Sequence, residues 1–202
     1  MAPYGRVHQN LMQVLLGAGA ISEEDLLAKL QECVDTHRED AAKGKLRMGD
    51  DEERNRATLD SVVTTLNDKI EDPLAMKVAK AKNKLDKKVY YGLVNLRSDD
   101  FVKHASNLDK GEQELFYKIL EEVDNSDDKW IDPMEAQNKR LECQSKVSSD
   151  DASACLQQLE QDQWLYKSDD GNYTLGIRVV LQRMYQAARP SGAGPSAVVD
   201  AD

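Results

Sequence analysis

One stretch decides how the rest of the sequence is interpreted, namely Lys88-Val89-Tyr90-Tyr91-Gly92-Leu93-Val94-Asn95-Leu96. It is the longest run rich in β-branched and aromatic residues in a chain that otherwise has helical periodicity. Such residues favour a pleated, half-buried surface, so residues 89–96 are predicted to form a strand. Alternate side chains point to opposite faces of a strand, and both faces are largely apolar here. The strand is therefore expected to be covered on both sides, with Tyr90 and Tyr91 facing different surroundings.

The composition is typical of a globular chain with small hydrophobic cores. Its 202 residues leave room for one large or two small domains, and 40% of them are hydrophobic while 32% are charged. No apolar run approaches the roughly 18–20 residues that a membrane span needs. The first residues also lack the apolar segment of a signal peptide. A soluble protein is predicted.

Cysteine usage and net charge narrow the possible surroundings. Cys33, Cys143 and Cys155 are odd in number and far apart in sequence, which favours free thiols in a reducing compartment, the cytosol or the nucleus. The net charge of −10 disfavours a general attraction to nucleic acid or to an anionic membrane. Local basic patches stay open as an alternative.

The first half of the chain shows three helical patterns followed by two strand patterns. The helices are predicted at residues 8–17, 22–34 and 51–70, with a polar loop at 35–50. Ser22 is the expected N-cap of the second helix, because three acidic residues follow it in the first turn. A strand pattern at 73–78 and the lysine-rich segment 77–88 then lead into the strand at 89–96. Three helices followed by a hairpin is the order of a winged helix.

The second half repeats this order after a polar link at 97–109, in which Phe101 and Leu108 are the expected anchors. Asp170-Gly171 between two apolar runs is a strong hairpin signal. The fold class is therefore predicted to be mainly α with small β-hairpins, arranged as two tandem winged-helix domains, at 1–98 and 99–188, before a disordered tail at 189–202. The elements predicted in this half are helices at 110–123, 133–144, 149–162 and 176–188 and strands at 164–166 and 173–175.

The sequence offers no convincing catalytic pattern. His8, His37 and His104 are scattered, and neither a nucleophile with a nearby base nor a glycine-rich phosphate loop is present. No catalytic residue is predicted.

The segment 124–135 resembles a calcium loop in part. It places oxygen-bearing side chains at loop positions 1, 3, 5, 9 and 12, as an EF-hand does. Its sixth position, however, is Lys129, where the sharp turn favours glycine, and no second loop is present to pair with it. The preferred interpretation is an acidic loop between two helices, with Trp130 and Ile131 packed against the core, and no metal site is predicted.

A lysine-rich segment is the candidate for contact with DNA. The predicted third helix of the second half, 149–162, carries only acidic charges and would repel phosphate. The first hairpin could instead hold a phosphate backbone without reading its sequence, although a solvated hairpin tip that discourages edge pairing explains the same lysines. The candidate DNA-binding residues are Lys77, Lys80, Lys82, Lys84, Lys87 and Lys88.

Three stretches resemble a known family. They are Leu11 to Gly19, then Val89 to Leu96 followed by Gly111-Glu112-Gln113-Glu114-Leu115-Phe116, and then Asp162-Gln163-Trp164-Leu165 followed by Tyr173-Thr174-Leu175-Gly176-Ile177-Arg178. In this order and spacing, over roughly residues 8–188, they resemble the non-SMC element one subunit of the SMC-five/six chromosome complex.

The resemblance implies two tandem winged helices that pair with a MAGE-like winged-helix subunit and join the kleisin of that complex. It also implies a nuclear location and a role in DNA repair, recombination and chromosome maintenance. Members of the family typically continue into a RING-like zinc domain that gives ubiquitin-ligase activity. No Cys or His follows Cys155 in this sequence, so zinc and ligase chemistry are expected only in such a further domain, and no cofactor is expected in these residues.

Three functions therefore stay open. The first is an interaction scaffold that binds the MAGE-like and kleisin partners, with auxiliary DNA contact. The second is the partner-binding half of a RING-type ubiquitin ligase, and the third is a stand-alone DNA-binding winged-helix module. The predicted partner-binding surface is the first helix, where four apolar residues cover more than one face: Leu11, Met12, Leu15 and Leu16.

Overall fold

The first half of the molecule is a helical unit closed by a three-stranded sheet. The computed structural model describes residues 4–96 and 108–188, and within these ranges the chain is mainly helical with small antiparallel strands. The elements of the first half are α1 (Arg6–Ala18), β1 (Ala20–Ser22), α2 (Glu23–Thr36), α3 (Arg38–Lys43), α4 (Glu52–Leu74), β2 (Met76–Lys82) and β3 (Val89–Asn95).

Local capping chemistry sets where the long helices begin. The Ser22 hydroxyl accepts a hydrogen bond from the Asp25 amide at 3.1 Å, which confirms the predicted N-cap of α2. The Asp51 carboxylate accepts from the Arg54 amide in the same way at the start of α4. Each cap satisfies a backbone donor that the first helical turn leaves without a partner.

The stretch from Lys88 to Leu96 contains β3, the central strand of the sheet. Its neighbours are β1 on one side and β2 on the other, both antiparallel, with Gly92 opposite Ala20 and Ala79. Two details of the sequence-based prediction were wrong. The strand β1 was not predicted. The strand predicted at 73–78 is β2, which begins only at Met76, because α4 continues through Pro73, and extends to Lys82.

The segment 35–50 also differs from the prediction of a plain loop. It contains α3, and the Leu46 and Ala41 side chains are buried in the first core. The helix is six residues long, which is too short for a periodic apolar stripe to reveal it.

The second half repeats the order of helices and hairpin. Its elements are α5 (Lys110–Asn125), α6 (Pro133–Asn138) with a 3₁₀ turn at Lys139–Glu142, α7 (Ser149–Gln161), β4 (Leu165–Lys167), β5 (Tyr173–Leu175) and α8 (Ile177–Ala188). These elements agree with the predicted ones apart from the 3₁₀ turn and small shifts at the ends. The core of this half includes Phe116 and Trp164, whose rings meet edge to face at 6.1 Å.

The helix α8 joins the two halves. It follows β5 in sequence but also contacts β3 and β2, where Ile177 and Leu181 share a buried cluster with residues of the first half. The Gln182 side chain, 3% exposed, accepts from the Asn95 amide at 3.1 Å and donates to the Asn95 carbonyl at 2.9 Å. It therefore ties α8 to the backbone at the end of β3.

This arrangement explains why both faces of β3 are apolar. Tyr91 is buried in the first core, whereas Tyr90 packs against the cluster that α8 completes. The expectation that the two tyrosines serve different environments is confirmed. Three predicted features lie outside the described residues: the anchor Phe101, the boundary at 98 and 99, and the tail at 189–202.

Candidate functional site

The candidate DNA-binding site is the projecting tip between β2 and β3. The Asn83 amide donates to the Lys88 carbonyl at 2.8 Å and closes the turn, in which Lys87 takes a left-handed conformation with φ of 63°. At the base of the tip, the Tyr90 hydroxyl donates to the Asp86 carboxylate at 2.7 Å. Burial and this bond raise the pKa of Tyr90 to about 12. The tip is therefore a closed turn with a defined shape.

Four of the six predicted lysines have partners within the chain. Lys80 lies 3.3 Å from Asp60 and 5.7 Å from the centre of the Tyr91 ring. Lys77 and Lys88 are paired with acidic residues at 3.4 and 3.9 Å, and the Lys87 ammonium donates to the Lys84 carbonyl. All of these ion pairs are solvent-exposed, so each contributes little stability and can be exchanged for a phosphate.

The two remaining lysines are the best placed for an external anion. Lys82 and Lys84 are exposed, and within residues 4–96 and 108–188 no acidic oxygen lies within 4.0 Å of either ammonium group. The structure therefore separates the six predicted lysines into four that have a partner within the chain and two, Lys82 and Lys84, that have no acidic partner among the described residues. The sequence analysis treated all six lysines as one group, because their acidic partners lie on α2 and α4 and the pairing depends on the fold.

The predicted partner surface on α1 needs correction. Leu11 and Leu15 are at most 1% exposed and Met12 is 8% exposed, all within the first core. For these three residues the prediction of a surface was wrong, because the sheet and the helices α2, α3 and α4 cover this side of α1. Leu16 is 57% exposed and stays a candidate.

Other exposed apolar residues were missed by the sequence analysis. The periodicity of a helix or strand shows which residues can share a face, but a single large residue on the polar face gives no signal by itself. The exposed large hydrophobic residues besides Leu16 are Tyr4, Leu74, Leu85, Tyr117, Met134, Leu141, Tyr166 and Met184.

Within residues 4–96 and 108–188, the thiols and imidazoles do not form a reactive or metal-binding group. Cys33 belongs to the first core and Cys155 to the second, and burial raises the pKa of Cys155 to about 12. A thiol with a raised pKa is a poor nucleophile at neutral pH. Among the described residues no cluster of His, Cys, Asp and Glu could hold a metal ion, so a structural zinc of the RING type does not fit them.

In the segment 124–135, which resembles a calcium loop in sequence, two cationic side chains of the chain itself bind Asp124. Both guanidinium nitrogens of Arg183 lie 2.7 Å from the Asp124 carboxylate, and the Lys129 ammonium donates to the Asp124 carbonyl at 2.7 Å. Lys129 itself adopts the positive φ, 67°, that the sixth position of a calcium loop requires. The segment is therefore an acidic loop closed by the chain's own cations. Ile131 packs in the second core as predicted, but Trp130 is only half-buried and lies beside Tyr166, so its predicted packing against the core was wrong.

None of the described helices is both long enough and apolar enough to span a membrane. Two tandem units of helices and hairpin, the first with a basic tip, define the class as a mainly helical fold consistent with tandem winged-helix domains.

The comparisons with known proteins specify the family. A family model described as "Nse1 non-SMC component of SMC5-6 complex" matches residues 8–139 and 113–182, which together include both halves. The chain belongs to the Nse1 family. This agrees with the resemblance found in the sequence motifs.

Individual relatives give the same result. A non-structural maintenance of chromosomes element 1 homolog from Xenopus tropicalis is 31% identical over 87% of this chain, and the one from Homo sapiens is 24% identical over 87%. A chain in a solved Nse1-Nse3-Nse4 complex superposes with a TM-score of 0.75 at 28% identity, covering 93% of this chain and 78% of that one. The match spans about 60% of the length of these curated relatives.

Proposed function

We propose that this chain is an interaction subunit of an SMC5-6-type complex that binds a MAGE-like Nse3 subunit and a kleisin Nse4 subunit. The observation that carries the proposal is the family match across both halves, joined to the likeness with a chain in an Nse1-Nse3-Nse4 complex. The expected setting is the nucleus, and the expected roles are chromosome maintenance, recombination and DNA repair.

The chemistry of the described residues favours a scaffold over an enzyme. Their thiols and imidazoles are buried or separated, while large apolar side chains are exposed on both halves. Exposed apolar residues within a polar surface are the usual anchors of protein interfaces. Ubiquitin-ligase activity is not proposed for these residues, because their thiols do not converge on a zinc site.

Co-expression with Nse3-like and Nse4-like subunits from the same source tests the proposal. The expected result is a stable complex that elutes as one peak on a sizing column with the three subunits in equal amounts. Elution of this chain apart from the two subunits would contradict the proposal.

A substitution at Leu16 tests whether α1 contributes its exposed side to the partner interface. We expect Leu16→Asp to weaken the complex, because a carboxylate would have to be desolvated where the proposed interface buries a leucine. The matched control is Gln13→Glu, which adds the same charge at an exposed position of the same helix. Equal retention of both variants in the complex would remove α1 from the interface.

The first hairpin is proposed to add non-specific contact with a DNA backbone. The support is the pair of open ammonium groups on Lys82 and Lys84 and the exchangeable pairs beside them. Lys82→Glu with Lys84→Glu is expected to weaken binding to duplex DNA and to lower the salt slope by roughly one unit for each lost phosphate contact.

The control for that measurement is Lys43→Glu with Lys69→Glu, which makes the same charge change at exposed positions away from the tip. An equal loss of binding in both variants would indicate that only net charge matters. In that case the lysine-rich tip has the solvated role that its composition also allows.

A further inference from the structure

A second exposed surface lies on the hairpin of the second half. Tyr166 is 43% exposed and points away from its neighbour Leu165, which is buried. The half-buried ring of Trp130 stands beside it, with ring centres 6.2 Å apart and planes at 64°. Two aromatic rings at this angle present both a face and an edge to the solvent.

The backbone holds this aromatic pair in place. Ile131 and Tyr173 exchange two backbone hydrogen bonds of 2.9 Å, which fasten the loop before α6 to β5. The Thr174 hydroxyl donates to the Lys129 carbonyl at 2.7 Å, and the Asp128 carboxylate accepts from the Trp130 amide at 3.0 Å. A surface fixed in this way loses little conformational entropy when a partner binds.

Acidic residues lie on both segments that carry the pair. The loop before α6, which holds Trp130, and the tip of the hairpin that holds Tyr166 meet where Gly171 approaches Pro133, and the carboxylates of these two segments are called the rim here. Hydrogen bonds from the Ser126 hydroxyl and the Trp130 amide lower the pKa of Asp128, which keeps it charged. The acidic residues on the rim are Asp127, Asp128, Asp132, Asp169 and Asp170.

The cations nearby are directed elsewhere. The Lys129 ammonium turns back to the Asp124 carbonyl, and Arg183 holds the Asp124 carboxylate with both nitrogens. Lys167 lies over the Tyr173 ring, on the face of the hairpin opposite Tyr166. Lys129 and Arg183 therefore bind Asp124 and not the carboxylates of the rim, whereas the Lys167 Cε atom lies near Gly171 at the tip of the hairpin.

The net negative charge of the second half also favours a cationic partner. Residues 108–188 contain 17 Asp and Glu against 9 Lys and Arg, whereas residues 4–96 are nearly balanced at 16 against 15. The summed field of such a surface attracts cationic partners and raises their rate of association.

We propose that Trp130 and Tyr166, with the carboxylates of the rim, dock an arginine- or lysine-rich segment of another protein. A guanidinium or ammonium group would stack on an aromatic face and pair with a rim carboxylate at the same time. Aromatic and arginine side chains are the residue types that contribute most to binding at protein interfaces. The occupant is thus a basic peptide, and the loop that resembles a calcium site in sequence forms one edge of its binding surface.

A labelled peptide of alternating arginine and glycine, titrated by fluorescence anisotropy against the whole chain, tests this. The chain contains 2 tryptophans and Trp164 is buried, so a change of tryptophan emission on binding reports on Trp130. We expect Tyr166→Ala to weaken binding by about tenfold or more, and Trp130→Phe to abolish the emission change. The triple variant Asp127→Asn, Asp169→Asn, Asp170→Asn is expected to weaken binding to a similar extent, since no other side chain in the described ranges pairs with these three.

The matched control is the triple variant Asp50→Asn, Asp68→Asn, Asp72→Asn, which removes three exposed charges from the first half. We expect it to leave the affinity for the peptide nearly unchanged. Equal weakening by both triple variants, or no effect of Tyr166→Ala, would overturn the proposal in favour of general attraction by net charge. Absence of binding by the unaltered chain would overturn it as well.

Two further measurements test whether a second copy of the chain or calcium binds at this surface instead. Sedimentation that shows self-association, lost when Lys82 and Lys84 are changed to Glu, would assign the surface to the basic hairpin of a second copy and overturn the proposal. Calcium at millimolar concentration is expected to leave peptide binding unchanged beyond the effect of matched ionic strength, because Arg183 and Lys129 close the loop.

Discussion

At the scale of single residues, His8 couples stability to pH. Its side chain is 1% exposed, and the Nδ1 atom accepts the Gly5 amide at 3.2 Å, so the folded state holds the imidazole neutral. Burial lowers the pKa of His8 below its usual value, and the nearby Asp40 offsets this only in part. The unfolded chain therefore binds more protons in mildly acidic solution than the folded chain does.

The sign of the effect follows from that difference. Stability is lost as pH falls below roughly 6.5, the ordinary histidine pKa, and it recovers as pH rises. We expect the urea midpoint to fall between about pH 7.5 and about pH 5.5, and His8→Gln to reduce this fall. The same pH dependence in both proteins would assign the effect to other groups.

The residue scale is also where sequence reasoning reached its limit. It identified Ser22 as a cap because capping depends on a few consecutive residues. It could not separate Leu15, which is buried, from Leu16, which is exposed, because both lie on an apolar run and only the sheet and the other helices decide which side is covered. The pairing of Lys80 with Asp60, twenty residues away in sequence, was inaccessible for the same reason.

At the scale of elements, the amide of Gln182 links α8 to the end of β3. We expect Gln182→Ala to destabilise the protein by about 1–3 kcal/mol, because it removes the two hydrogen bonds that the buried Gln182 side chain makes with the half-buried backbone of Asn95. Urea unfolding measures the change. Gln157→Ala, at an exposed position of α7, is the control and is expected to have a much smaller effect.

Gly92 lets α8 and β1 approach β3 closely. A Cβ atom there would lie 2.8 Å from both the Gly19 carbonyl oxygen and the Leu181 Cδ1 atom. We expect Gly92→Ala to cost about 1–3 kcal/mol through overpacking. Gly17→Ala in α1 meets no atom within 4 Å and should instead stabilise the helix by roughly 0.5–1 kcal/mol. Thermal unfolding of the two variants therefore should shift in opposite directions.

Most elements could be predicted from periodicity and turn signals, since α1, α2, α5, α7 and the second hairpin each contain enough consecutive residues to show a pattern. The short β1 and α3 could not, because three or six residues carry no measurable period and form only through contacts with β3 and the first core. The continuation of α4 through Pro73 is a case in which tertiary packing prevails over a local helix-breaking signal.

At the scale of the whole molecule, the shared cluster at α8 predicts that the two halves unfold together. Both tryptophans lie in the second half, whereas circular dichroism reports on helices of both halves. We expect the two signals to give one coincident transition in urea, and Gly92→Ala in the first half to shift the tryptophan transition by the same amount. Separate transitions would show that the contact through α8 is too weak to couple the halves.

The position of α8 also determines how the protein carries mechanical load. The helix leaves the second hairpin at Gly176, yet Gln182 and Leu181 fix its middle to the first sheet. Tension applied to the chain after Ala188 is therefore transmitted to β3 before it reaches β5. The helix would have to slide along the sheet as a unit, breaking several contacts at once, before the hairpin of its own half is pulled. Under tension the two halves are therefore expected to respond as one mechanical unit, because the contact of α8 with the first sheet lies inside the interface between them.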